Sequence, residues 1–254
     1  VVCLAAAITA AVLLALIAYI LIRGIPHLKP SLFELHYNSE NVSMFPAMVM
    51  TLYMTVLCLL IATPLGVGCA IYLTEYAKRG NKVVEVIRLA AETLSGIPSI
   101  VYGLFGMLFF VTALGWKYSI LAGACTLSIM VLPLIIRSTE EALKSVPDSY
   151  REASFGLGAG KLRTVMRVVL PPAMPGIVAG IILAVGRIVG ETAALIYTAG
   201  TVAKITGNPM ESARTLSVHM YALSSEGLHT NEAFATAVVL LVTVLLLNAL
   251  SNWI

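Results

Sequence analysis

Six stretches of the chain are apolar for long enough to cross a bilayer, and polar segments separate them. A spanning helix needs about 20 apolar residues. Residues 1–22 carry no charge and meet that length, whereas 23–44 are polar and contain Pro26 and Pro30. Residues 45–73 form a second uncharged run. Its Thr63-Pro64 step, followed by Gly66 and Gly68, is expected to kink or loosen the helix where neighbours satisfy the freed carbonyls. Residues 75–93 are polar and basic, with an amphipathic pattern from Val83 to Leu94. The third and fourth spans are expected at 97–114 and 118–136, joined by a tight turn at Gly115-Trp116-Lys117. A long polar loop, 137–171, leads into a fifth span at 173–200, and a sixth follows at 233–254. The pattern predicts an all-α integral membrane protein: one domain, six transmembrane helices.

Composition supports the same class. Hydrophobic residues make up 59% of the 254 and charged residues 11%, with a mean hydropathy of +0.94; soluble domains carry about 25% charge. The net charge of +3 makes no case for nucleic acid. Cys3, Cys58, Cys69 and Cys125 lie in apolar runs with no CxxC pair, so they read as small buried hydrophobes. The four histidines have no metal-ligand spacing. Both ends of the chain lie in apolar runs, so trimmed termini are expected. A cleaved signal peptide is not expected, because the first run is too long and lacks a small-residue cleavage pattern.

The distribution of charge sets an expected orientation. Residues 74–93 and 137–171 hold ten of the 16 lysines and arginines, the opposite polar segments hold five, and Arg187 alone falls within a span. By the positive-inside rule the long loop and both termini are cytoplasmic.

Within that loop Pro147 suits the first turn of a helix, Ser145 is placed to cap it, and Asp148 and Glu152 complement its positive end. Gly156 and Gly158 supply a stop. A return helix from Leu162 to about Leu170 is expected to end at Pro171-Pro172. On these features alone the loop reads equally as a solvated connector or as a grip for a partner.

The fifth span carries Arg187, Glu191 and Thr192. A charge at the bilayer centre costs about 2.5–3.5 kcal/mol, so it faces protein or a watery path. Arg187 and Glu191 are four apart, on one helix face, and read either as an internal ion pair or as part of a binding path. Arg137, closing the fourth span, either snorkels to headgroups or borders that path. The glycine-rich stretch Gly96 to Gly106, with Pro98, Ser99 and Gly103, serves close helix packing or a flexible wall. No GxxxxGK[ST] loop is present, so this chain is not expected to hydrolyse ATP by that route. HExxH, GxSxG and EF-hand patterns are also lacking.

Glu152-Ala153-Ser154-x-x-x-Gly158, then nine residues, then Val168-x-Leu170-Pro171 resembles the EAA signature of bacterial ABC-importer permeases. Ser154 stands for the second Ala and Val168 for the usual Ile. Ile71-Tyr-Leu-Thr-Glu-Tyr76, Gly96-Ile-Pro-Ser-Ile-Val-Tyr-Gly-Leu-Phe-Gly106 and Arg187-Ile-Val-Gly-Glu-Thr-Ala-Ala-Leu195 look like the phosphate-specific transporter permeases. The Gly-Glu-Thr-Ala ending looks more like the PstA-type than the PstC-type subunit. Together these motifs cover residues 64–200.

The resemblance implies a type I importer fold with a coupling helix between the fourth and fifth spans. It assigns ATPase coupling, through the 145–160 loop, to Pro147, Tyr150, Glu152, Ala153, Ser154, Gly158, Leu170 and Pro171. It carries the substrate pathway over to Arg187 and Glu191; beside them Thr192 is read from the residues as a hydroxyl donor and Arg137 as a border of the path, with Gly96, Pro98, Ser99 and Gly103 as a flexible wall. No cofactor is expected on this chain; ATP-Mg would sit on two copies of a PstB-type ATP-binding subunit. A PstC-type permease would complete a heterodimer, and a PstS-type extracytoplasmic protein would deliver phosphate. The location implied is a bacterial or archaeal plasma membrane, the inner one in a Gram-negative cell. Two other functions stay open: a permease of this class for another oxyanion or small solute, and a proton-coupled secondary carrier using Glu191. The carrier would need neither an ATPase nor a coupling signature, and would carry an inverted repeat, which the sequence does not display.

Overall fold

A computed structural model describes residues 2–78 and 80–253, with side chains described through Ser251. Val1 and Ile254, at the edges of the first and sixth expected spans, lie outside the described residues. So does Arg79, one of the ten clustered basic residues. The described residues are helices joined by loops, the longest of them at 34–44 and 199–215. The helices are α1 (Val2–Gly24), α2 (Phe45–Ile71, continued by a π-helical turn Tyr72–Tyr76), α3 (Lys82–Ser95) and α4 (Ser99–Gly106, continued as π-helix Met107–Ala113). Then come α5 (Ile120–Lys144), α6 (Asp148–Gly156), α7 (Lys161–Thr164, continued by a π-helical turn Val165–Val169) and α8 (Leu170–Gly190). The chain finishes with α9 (Ala193–Thr198), α10 (Leu216–Glu226) and α11 (Thr230–Trp253).

Among the described residues five helices have the length and apolarity to cross a membrane: Val2–His27, Phe45–Tyr76, Ile120–Lys144, Lys161–Gly190 and Thr230–Ser251. The expected third span, 97–114, is helical from Ser99 to Ala113 but is too short to cross alone. Ser99–Ala113 is bent 105° from α3 and, counted with it, makes a sixth, broken span. At 1.5 Å per residue a helix of that length reaches about 22 Å, short of the roughly 30 Å of hydrocarbon.

Three further boundaries differ from expectation. The fourth span does not end at Ile136: α5 runs on to Lys144, carrying its last two turns out on Arg137, Glu140, Glu141 and Lys144. Pro171-Pro172 do not stop the return helix, since Lys161–Gly190 is one continuous rod. Proline removes an N–H donor. The prolines fall in the first turn of α8, directly after a π-turn that has already loosened the hydrogen-bond ladder. The fifth span is also interrupted, because α8 ends at Gly190, Glu191 is extended, and α9 starts afresh at Ala193.

Packing centres on α2 against α5 and α5 against α8. Met50, Met54, Cys58 and Ala62 of α2 meet Leu127, Val131 and Ile135 of α5 and Leu195 of α9 in the main core. Small residues bring backbones together. A Cβ on Gly180 would lie 2.1 Å from Ser138 Oγ, and one on Gly103 would lie 2.9 Å from Ala194 Cα. Such contacts substitute for hydrophobic drive where lipid is as apolar as the side chains. The segments around residues 75 and 151 meet at one end, here the loop end, through an Arg151–Glu75 ion pair. At the other end Leu32, Met44, Ala47, Leu216 and Ala235 pack together.

Candidate functional site

The loop end is built around Arg151. After α5, Ser145 Oγ donates to Ala142 O at 2.8 Å, so Ser145 finishes α5 rather than capping α6. Pro147 is extended (φ −58°, ψ 140°) and stands immediately before α6. From α6, Arg151 reaches back with all five N–H groups engaged. Nη2 donates to Glu75 Oε1 at 2.7 Å and to Leu143 O at 2.9 Å, Nη1 to Val146 O at 2.8 Å and Asp148 Oδ1 at 3.2 Å, and Nε to the Glu75 carboxylate at 3.2 Å. The Glu75 hydrogen bonds hold the guanidinium above its already high ordinary pKa. A planar fork matched to a carboxylate is the strong form of such a bond.

The rest of α6 is arranged for contact. Tyr150, Glu152, Ala153 and Phe155 are exposed, and Leu157 is 90% exposed. Ser154, the departure from the Ala of the signature, is buried and hydrogen-bonds Thr164 at 2.8 Å, tying α6 to α7. Gly158 has φ +80°, the left-handed conformation that turns the chain between them. Leu170 and Pro171 lie within the Lys161–Gly190 rod, away from the α6 tip.

A second feature lies deeper. A cavity of about 360 Å³ is lined by Leu73 beside α3 (Arg88, Glu92, Ser95), α5 (Pro133, Arg137, Glu140, Glu141, Lys144) and Arg187 of α8. The structure therefore brings two of the four expected pathway residues, Arg187 and Arg137, to one cavity. Glu140 is buried and bonded to Lys144 Nζ at 2.6 Å and to Arg88 Nη2 at 3.3 Å. Arg137 pairs with Glu141 at 3.2 Å. Among the described residues Arg187 has no ion pair, and it is exposed to this space.

Glu191 is elsewhere. The break after Gly190 removes it from the helix face it was expected to share with Arg187. Its Oε1 accepts from Ala194 N at 3.2 Å, starting α9, and its carbonyl accepts from Ser217 Oγ at 2.6 Å. Thr192 lies in the same break and makes no side-chain cap. Gly96 and Pro98 form the bend between α3 and α4, Ser99 begins α4, and Gly103 is pressed on α9. Tyr102 OH donates to Leu94 O at 2.7 Å, bracing that bend.

At the opposite end, Arg214 is 6% exposed and stacks on Tyr37 at 4.5 Å. Its Nε and Nη2 have no partner, nor does either nitrogen of the adjoining His219. Burial, with Arg214 second, drives the His219 pKa down to about 3. Sequence reasoning gave no role to Glu75, quoted only within the Ile71–Tyr76 motif, or to Arg151 and Arg214, counted only among the basic residues. The available signal was a charged residue flanking a span, shared by a dozen others. Among the described residues no cluster of His, Cys, Asp and Glu is placed to hold a metal.

Comparison with known proteins adds a family. Residues 62–254 match the family described as binding-protein-dependent transport system inner membrane component. The chain is 38% identical to the probable ABC transporter permease protein YqgI of Bacillus subtilis, with 99% of this chain and 91% of that protein covered. It is 40% identical to the phosphate transport system permease protein PstA 1 of Mycobacterium tuberculosis over 61% of this chain, spanning about half (51%) of that relative. In fold it resembles the inward-facing MetNI methionine ABC transporter, with a TM-score of 0.65, 22% identity, and 82% and 91% of the two chains covered.

Proposed function

The chain belongs to the inner-membrane components of binding-protein-dependent ABC importers, and on that premise we propose that it is one half of a phosphate-importing pathway, of PstA type. The observation that carries the substrate is Arg187, a cation within a membrane-crossing helix, unpaired among the described residues and open to a cavity. Phosphate at neutral pH is an anion with strong acceptor oxygens, which a planar guanidinium matches with two donors. The neighbouring cations of the cavity already hold carboxylates, so Arg187 is the group left to meet the ion. Conduction also needs release, and the Glu92 carboxylate on the same cavity wall limits how tightly an anion is held. Relatives named as phosphate permeases support the same substrate.

The loop end faces the cytoplasm and both termini lie on that side, in keeping with the clustered basic residues. There α6 docks on a PstB-type ATPase present in two copies, which holds the ATP-Mg. A PstC-type permease completes the pathway, and a PstS-type protein delivers phosphate to the far side. The test is uptake of labelled phosphate into proteoliposomes holding the whole assembly, with sulfate, arsenate and molybdate as competitors. ATP-dependent uptake blocked by arsenate but not by sulfate is the expected result. Uptake that follows a different anion removes the phosphate assignment, and uptake without any ATPase removes the class.

A further inference from the structure

Two contacts from separate elements converge on one short piece of chain. Arg151 of α6 grips Glu75, 76 residues away in sequence, and Lys161 of α7 lies over the Tyr76 ring at 5.2 Å. Both targets belong to the π-turn Tyr72–Tyr76 at the end of α2. We propose that this turn receives the movement of the coupling helix, and that Arg151 is the positioning residue that passes it from α6 to the cavity wall. The inference rests on the reading that α6 is gripped by an ATPase.

The geometry leaves α6 no independent motion. Side chains of Arg151 and Glu75 are 14% and 8% exposed, and separating a buried pair leaves a charge without compensation. Movement of α6 therefore either carries Glu75 along or breaks the pair. The turn itself is suited to yield. A π-turn is one residue out of register with the α-helix before it, and such turns recur at functional sites. The Thr74 hydroxyl within it is buried without a partner, a group that a second arrangement of the turn can satisfy. Leu73, in the same turn and 4% exposed, borders both the groove beside α6, of about 610 Å³, and the cavity that holds Arg187. A shift of the turn alters the cavity directly.

The experiment uses the complete transporter in proteoliposomes. Glu75→Gln should keep the ATPase subunit bound in native proportion, while binding-protein-stimulated hydrolysis and ATP-driven uptake fall about tenfold. Arg151→Lys, which keeps a cation beside Glu75 and donors toward the nearby carbonyls, should retain more uptake than Glu75→Gln. Unchanged uptake in Glu75→Gln overturns the inference. So does loss of the bound ATPase, because the pair would then serve docking rather than transmission. Lys161→Ala removes the second contact on the turn and tests the route independently if the Arg151 and Glu75 variants do not fold. It should lower uptake about two- to threefold with assembly intact, and an unchanged rate removes Tyr76 from the route. Failure of the native chain to import phosphate would strike the substrate assignment alone. The same variants would then be read with the anion it does carry.

Discussion

Arg151 and Arg187 carry the same side chain into opposite circumstances. At the loop end Arg151 is nearly enclosed and every N–H it owns has an acceptor. Within the membrane, among the described residues, Arg187 has no ion pair and opens onto a cavity. An arginine with all donors satisfied by its own chain fixes geometry, and one left unsatisfied has capacity for a ligand. Arg214 makes a third case, buried on Tyr37 with two nitrogens unbonded.

The sharpest way to break this contrast is to remove the satisfied arginine. Arg151→Met leaves the Glu75 carboxylate buried and unpaired, at a cost of about 3–5 kcal/mol. Thermal unfolding in detergent should show it, and Arg151→Met/Glu75→Leu should regain most of the loss. Removing the unsatisfied arginine should do the reverse. Arg187→Ala should leave the melting temperature unchanged and lower ATP-driven phosphate uptake about 100-fold, some 2.7 kcal/mol of lost stabilisation. A melting loss in Arg187→Ala with uptake intact would invert the two roles.

The burial of His219, reinforced by the third arginine, sets a pH dependence. His219 beside it has a pKa of about 3 in the fold, against about 6.5 in the unfolded chain. The unfolded state therefore takes up the proton first as pH falls. The stabilisation is complete above pH 6.5 and declines below it, by about 2 kcal/mol at pH 5. Melting temperatures from pH 8 to 5 should show the decline, and His219→Phe should flatten it. The smallest effect is expected at Glu191. Because it starts α9 instead of facing Arg187, Glu191→Gln should keep uptake within about threefold of native. A loss as large as that of Arg187→Ala would mean that the two act together.

How much of this was legible in the sequence depended on which physics decided it. Lipid thickness sets span length, so the six apolar runs are visible as helices, the third alone too short to cross by itself. Helix ends were not, because nothing stops a helix where the lipid stops. Residues Arg137 to Lys144 favour helix as readily in water, and α5 continues through them. The break at Gly190 lies in an unbroken apolar run, and only Glu191 and Thr192 hinted that a new helix starts there. The coupling signature placed α6 correctly and even marked Ser154, but its bond to Thr164 appears only in three dimensions. Glu75 and Arg151 are hidden for the same reason: their pairing depends on how α2 and α5 lie side by side.

The helical span from Lys161 to Gly190, continuous through its π-turn, has a mechanical consequence. Thr164, tied to α6 by the Ser154 hydroxyl, and Arg187 are borne on a single lever roughly 35 Å apart along the axis. A swing of about 10° about the loop end would carry the guanidinium about 6 Å, comparable to the width of a small oxyanion.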